Sequence, residues 1–173
     1  GDTASREATG TYNAGTRGLW GGGQLKSDNS ASDVIDYVTV ASKGDALDFG
    51  DLTQVRRWVF GAVASSTRGV WAGGLSPLTD TIDFVTIASS GNALDFGNQL
   101  DSKATYAGVG NETRGIFGGG NPEASSAKTD GIDYITISSK GDSQNFGDLL
   151  EATASLCGAA SPTRGLFFGG YTP

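Results

Sequence analysis

The chain has no histidine, no methionine, a single cysteine and only four prolines in 173 residues. Without histidine it lacks the commonest general base and metal ligand, and one thiol builds neither a disulfide framework, a CxxC redox pair nor a thiolate zinc site. Most familiar enzyme classes go with them, so no catalytic residue, metal or cofactor is expected. Basic residues are also short: 12 Lys and Arg against 19 Asp and Glu leave a net charge of −7. With no basic surplus to displace counterions from a phosphate backbone, nucleic acid is not an expected partner. No apolar run approaches the roughly eighteen residues of a membrane span. Nothing at the start couples basic residues to an apolar segment, so membrane insertion is not expected. The absence of Met at position 1 reads as a processed or excised chain.

What is present is glycine and a moderate apolar fraction. The 28 glycines fall far short of the one-in-three, strictly periodic content of collagen. A 37% hydrophobic content with mean hydropathy −0.20 is enough for a folded, turn-rich domain.

The chain repeats itself about every fifty residues. The tripeptide Thr-Arg-Gly recurs at Thr16, Thr67, Thr113 and Thr163, each time running into an apolar or aromatic pair and glycines. A second block reads IDYVTVAS from Ile35, IDFVTIAS from Ile82 and IDYITISS from Ile132. The interval from that isoleucine to a Phe-Gly pair is constant, ending at Phe49, Phe96 and Phe146. The length variation of this half of the repeat falls in the loop before the isoleucine. Alternating β-branched runs followed by a Gly turn are strand chemistry, and long Ala/Leu/Glu/Lys stretches are lacking. Four strands per repeat are expected, in the second copy over residues 57–64, 68–72, 82–88 and 93–96. Trp20, Trp71, Phe117 and Phe168 are expected in equivalent places. Within the first strand, small residues recur at Gly10/Thr11, Gly61/Ala62, Ala107/Gly108 and Cys157/Gly158, so another backbone should pass close by.

Several motifs invite a chemical reading. Asp48-Phe49-Gly50 and Asp95-Phe96-Gly97 spell a kinase magnesium motif, but the motif recurs with each repeat and becomes Asn145-Phe146-Gly147, which marks a strand end. The carboxylate pairs Asp33/Asp36, Asp80/Asp83 and Asp130/Asp133 are too sparse for a calcium loop. The first of each pair is expected to cap its loop. Asp36, Asp83 and Asp133 are expected to pair with the once-per-repeat arginines Arg17, Arg68, Arg114 and Arg164. Cys157 sits in the small-residue column and reads as a buried structural thiol. Asn111-Glu112-Thr113 fits a glycosylation pattern only by overlap with the repeated tripeptide.

The unit resembles the kelch repeat of β-propellers. The Gly doublets Gly22-Gly23, Gly73-Gly74, Gly119-Gly120 and Gly169-Gly170 close the second strand. Arg6, Arg57 and Lys103 (Thr153 in the last copy) open the first, and Tyr37, Phe84 and Tyr134 follow the doublet. Phenylalanine stands in the fourth strand where kelch repeats place tryptophan. The combined wording is similar to the repetitive kelch-type segments of virion-associated proteins in marine tailed phages. The resemblance implies an all-β propeller segment of about three and a half four-stranded blades. They would cover 1–50, 51–97, 98–147 and, as a half blade, 148–173, within a larger or oligomeric ring completed by further blades or copies. It further implies a non-enzymatic structural or binding module of a virion or other extracellular particle, contacting a surface glycan or another protein. The variable loops offer Lys26, Asp28, Asn29, Pro77, Asn121, Glu123 and Lys128 as candidate contacts. Two alternatives are an intracellular, cytoplasmic interaction propeller and a carboxylate-dependent lyase or glycosidase using Tyr12 or Tyr106.

Overall fold

The computed structural model describes residues 9–11, 16–122 and 127–172. Arg6, Tyr12 and Glu123 lie outside them. The described residues are all β, with no helix. Three four-stranded antiparallel sheets follow one another along the chain, each with its strands in sequence order, and a two-stranded hairpin ends the row. The first sheet holds β1 (Thr9–Thr11), β2 (Arg17–Gln24), β3 (Ala31–Thr39) and β4 (Leu47–Arg56). The second holds β5 (Gly61–Ala64), β6 (Arg68–Ala72), β7 (Thr81–Thr86) and β8 (Leu94–Asn98). The third holds β9 (Ala107–Gly110), β10 (Arg114–Gly118), β11 (Gly131–Thr136) and β12 (Gln144–Asp148). The hairpin is β13 (Cys157–Ala160) with β14 (Gly165–Phe168). None of these sheets closes on itself.

The core lies between the sheets. Successive side chains of a strand point to opposite faces, and the second sheet uses both. Trp71, Val85 and Ile87 join Leu19, Ile35 and Phe49 of the first sheet in one buried cluster. Val70, Ile82, Phe84 and Phe96 join Phe117, Ile135 and Ile137 of the third in another. Hence Ile82, Asp83, Phe84 and Val85 are buried in succession, whereas β11, with only the two-stranded hairpin beyond its sheet among the described residues, buries only Asp133 and Ile135.

The first strands stack against one another: β1 against β5, β5 against β9, β9 against β13. Their small residues are required for this. A Cβ on Gly108 would stand 2.5 Å from the Ala62 carbonyl oxygen, and one on Gly158 would stand 2.9 Å from that of Gly108. Each Asp-Phe-Gly or Asn-Phe-Gly is a β-bulge. The pairing register shifts between Ile35 and Asp36, Ile82 and Asp83, and Ile132 and Asp133, opposite glycines with φ of 145°, 148° and 144°. The bulge directs Phe49 and Phe96 into the inter-sheet clusters. It also brings Gly50 and Gly97 against the next sheet's turn, where a Cβ would meet the Gly91 or Gly141 carbonyl oxygen at 2.5 Å.

Three expectations need correction. In the second sheet the first strand begins at Gly61 rather than 57, because Trp58 takes a φ of 55° and turns the chain, leaving Arg57 in an isolated bridge to Leu75. The aromatic equivalent to Trp20, Trp71 and Phe117 is Phe167, not Phe168. Phe167 pairs with Gly158 as Phe117 does with Gly108 and Trp71 with Ala62. It lies over Gly118 as Trp71 lies over Gly21. Cys157 is exposed, not buried, because among the described residues no further sheet covers β13. Its counterpart Gly61 lies beneath the Tyr106 ring.

Gly108→Val, which drives a branched side chain into the Ala62 backbone, is expected to cost about 1–3 kcal/mol in urea denaturation. Gly44→Ala, with no atom within 4 Å of the new methyl, should stay within about 0.5 kcal/mol of the parent.

Candidate binding face

In an up-and-down sheet the loop between the second and third strands leaves at the same end as the link to the next sheet, and the two hairpin turns leave at the other. The hairpin end is uniform. Before each Thr-Arg-Gly a side-chain oxygen closes the turn: Ser65 Oγ accepts the N–H of Thr67 and Arg68. Asn111 Oδ1 does the same for Thr113 and Arg114, and Ser161 Oγ for Thr163 and Arg164. The Asn111 amide also donates to the Pro162 carbonyl at 2.9 Å, so its side chain is engaged in the frame. Glu112 accepts the Ser66 N–H at 2.8 Å, which ties the third sheet's turn to the second's and holds its carboxyl below the usual glutamate range.

The turn between the third and fourth strands fastens each sheet to the one before it. Gly91 N–H donates to Phe49 O at 2.7 Å and Ala93 N–H to Asp51 O at 2.7 Å, while Asn92 Oδ1 accepts the Asp51 N–H. One sheet further on, Gly141 donates to Phe96 O, Ser143 to Asn98 O, and Asp142 Oδ1 accepts from Asn98. The Gly-Asn or Gly-Asp pair, which sequence reasoning takes for hairpin chemistry alone, is thus an inter-sheet clamp.

The arginines of the repeated tripeptide share one geometry. The guanidinium of Arg17 lies over Tyr37, that of Arg68 over Phe84 and that of Arg114 over Tyr134, each at 4.8 Å. Arg17 Nη1 then donates to Ile87 O and Arg68 Nη1 to Ile137 O, both at 2.8 Å, in the following sheet. The partner is a backbone carbonyl and an aromatic face, so the expected pairing with Asp83 and Asp133 does not form. Those carboxylates meet a different basic residue at the other end of the sheet. Asp83 forms a fully buried ion pair with Arg56, whose Nη1 also donates to the carbonyls of Thr81 and Gly73. Burial lowers the Arg56 guanidinium from its ordinary value, and Asp83 opposes the effect. Asp83 further accepts the N–H and hydroxyl of Thr53, so the pair bridges the first and second sheets. In the third sheet Lys103 Nζ lies 3.1 Å from Asp133. Asp36 occupies the matching register position opposite Trp20.

Counting back from Thr-Arg-Gly aligns Arg57 with Lys103, yet Arg56 fills that place. One additional residue lies between Trp58 and Gly61 compared with Thr105 to Ala107, and it shifts the frame. The first carboxylate of each pair does not cap the loop either. The cap is the residue before it: Ser32 Oγ accepts the Val34 N–H, Thr79 Oγ1 that of Thr81, and Thr129 Oγ1 that of Gly131. Asp80 and Asp130 bond here through their carbonyls, to Gln99 and Leu149.

The loop end is varied. In the first sheet's loop, Asp28 accepts the N–H and hydroxyl of Ser30, which hold its carboxyl below the usual aspartate range, and Asn29 takes a φ of 61°. Lys26, Asp28 and Asn29 are exposed there, and Arg57 Nη1 reaches back to the Asn29 carbonyl. The second loop exposes Pro77 after a cis peptide bond. In the third, Asn121 is half-buried and bridges Ala104 through its backbone, while Lys128 stands over the Tyr171 ring at 4.6 Å.

Tyr106 is fully buried, its hydroxyl donating to Gln99 at 2.8 Å, and burial pushes its phenol well above the ordinary tyrosine value. Among the described residues no group of three His, Cys, Asp or Glu side chains is placed to hold a metal ion. No helix there is long and apolar enough to cross a membrane. Compared with known proteins, the chain matches no family model and no curated protein.

Asp83→Ala, which strands Arg56 in the interior, is expected to cost about 3–5 kcal/mol in urea denaturation, whereas Asp28→Ala in the exposed loop should leave the denaturation midpoint nearly unchanged. In an NMR pH titration the Ser66 amide should report Glu112. The folded carboxyl is depressed, so its hydrogen bond persists above the ordinary glutamate range and is lost as pH falls through the folded value. A Ser66 shift that is pH-independent across the acid range would contradict this.

Proposed function

We propose that the chain is part of a kelch-like β-propeller that serves as a non-enzymatic binding or structural module and meets its partner through the varied loop end. The observation that carries this reading is the role of the recurring acidic and basic residues. Asp83, Asp133, Arg56 and Lys103 neutralise one another inside the sheets, and Arg17 and Arg68 are bound to the frame. What differs between copies is confined to the loops around Lys26, Asp28 and Asn29, around Pro77, and around Asn121 and Lys128. Variation on a rigid frame is how binding surfaces are built. The contact of successive first strands supports a radial arrangement, with β1, β5, β9 and β13 innermost. Similarity to kelch-type segments of phage virion proteins points to a tail or fibre component. Its partner would be a cell-surface glycan or another virion protein.

Exchanging the 24–31 and 75–80 loops, each into the other's sheet, tests this on a glycan array and by pull-down from host surface extracts. The bound set should change while Tm moves by less than about 4 °C, the equivalent of about 1–2 kcal/mol. An unchanged bound set with a large fall in Tm would reject the loop end as the binding face.

A further inference from the structure

The junction between the first and second sheets and that between the second and third are built alike except at one turn position. In the first, the Arg17 guanidinium lies over Tyr37 and the incoming turn carries Ser90; in the second, Arg68 lies over Phe84 and Lys140 stands where Ser90 does. Lys140 leans back on the same ring. Its ammonium is 5.8 Å from the Phe84 centroid and the Arg68 guanidinium is 4.8 Å from it, so two cations share one aromatic ring. Arg68 is half-buried and donates from Nη1 to Ile137 O, while among the described residues its Nη2 and Nε find no acceptor. No carboxylate answers either cation. The ion pairs of the described residues, Arg56–Asp83 and Lys103–Asp133, lie at the other end of the sheets, and the adjoining turns commit their carboxylates to the backbone, Glu112 to the Ser66 N–H and Asp142 to the Asn98 N–H. Like charges held this close repel, and the frame does not need the second one, because a serine serves the same turn in the first junction. Ser90 and Lys140 are both exposed, so the place stays open to solvent even where a full sheet follows.

We propose that Arg68 and Lys140 form a binding site for an oxyanion, a sulfate or carboxylate group carried on an acidic polysaccharide. The stacked guanidinium is fixed in its plane and turns its free N–H groups to the oxygens, and the ammonium reaches the same group from the turn of the third sheet. Two solvent-exposed cations hold a free ion only weakly. A chain of anionic groups gains more, because it also reaches Arg17 and Lys43, which occupy the matching positions of the first sheet at the same end. A nucleic acid fits less well, since the net charge of −7 opposes a continuous phosphate backbone. The site lies on the uniform hairpin end and is independent of what the loop end binds.

The test is a titration of the whole chain with a sulfated dextran oligosaccharide, read by calorimetry and by amide NMR shifts. Saturable binding that weakens with added salt is expected, with the largest shifts at residues 68 and 139–141. Lys140→Ser should lower the affinity about tenfold, the loss of one charge-assisted hydrogen bond. Serine already fills that position in the second sheet's turn, so this variant keeps the fold. Arg68→Gln should weaken binding as much. The double variant Ser90→Lys with Lys140→Ser keeps the net charge and carries the pair of cations to the first junction, so the shifts should move to residues 17 and 89–91. No saturable binding, binding indifferent to Lys140→Ser, or shifts that stay at 139–141 in the double variant overturns the proposal. So does unsulfated dextran or single-stranded DNA bound as tightly, since the site would then not select an acidic polysaccharide.

Discussion

Every other feature of this structure depends on the apolar layer between consecutive sheets. A four-stranded meander has two faces and no thickness of its own, so it gains hydrophobic stabilisation only where another sheet lies over it. The second sheet has a full sheet on each side, and its strands bury consecutive residues; the third has, among the described residues, only the two-stranded hairpin on its far side, and Phe146 and Ile116 stay partly open. Stability in such a row accrues by junctions rather than by units. The glycine columns follow from this, because stacking first strands at backbone distance leaves no room for a Cβ at Gly108 or Gly158.

Polar groups fix the stacking that the apolar layer drives. An apolar face alone tolerates sliding, whereas the bonds from Gly91 to Phe49, from Asn92 to Asp51, from Arg17 to Ile87 and from Thr53 to Asp83 hold only in one register. The Arg56–Asp83 pair is the most demanding of them, since both side chains are removed from water and each depends on the other to offset its desolvation. This use of charge has a functional corollary. The carboxylates of Asp83 and Asp133 are consumed inside the sheets, and chemical variety is left to the loops.

The two ends of the sheets follow from the same division. At the hairpin end, Ser65, Asn111 and Ser161 repeat one turn closure, and the inter-sheet clamps admit little change. At the loop end, each loop needs only to return to the frame, as Asn29 does to Arg57 and Lys128 to Tyr171.

The sequence by itself determined the all-β class, the strand count of the full sheets and the small residues at close backbone approach, because those are written in local periodicity and in residue size. It also marked one arginine per repeat. Which group each side chain meets was decided only by tertiary structure. Arg17 and Arg68 find carbonyls about seventy residues away in the next sheet, a partnership that no local pattern encodes. Arg56 rather than Arg57 takes the place of Lys103 and pairs with Asp83, because a one-residue difference after Trp58 is absorbed outside the sheet, and spacing counted from the next tripeptide cannot reveal where the chain absorbs it. By contrast, Phe167 rather than Phe168 lies over Gly118, a place already legible in the sequence, since Trp20, Trp71, Phe117 and Phe167 each stand four residues after the threonine of the repeated tripeptide. Cys157 carries the lesson of the arginines: Gly61 and Ala107 in its column are buried under the sheet that follows, and burial is a property of that neighbour, not of the residue.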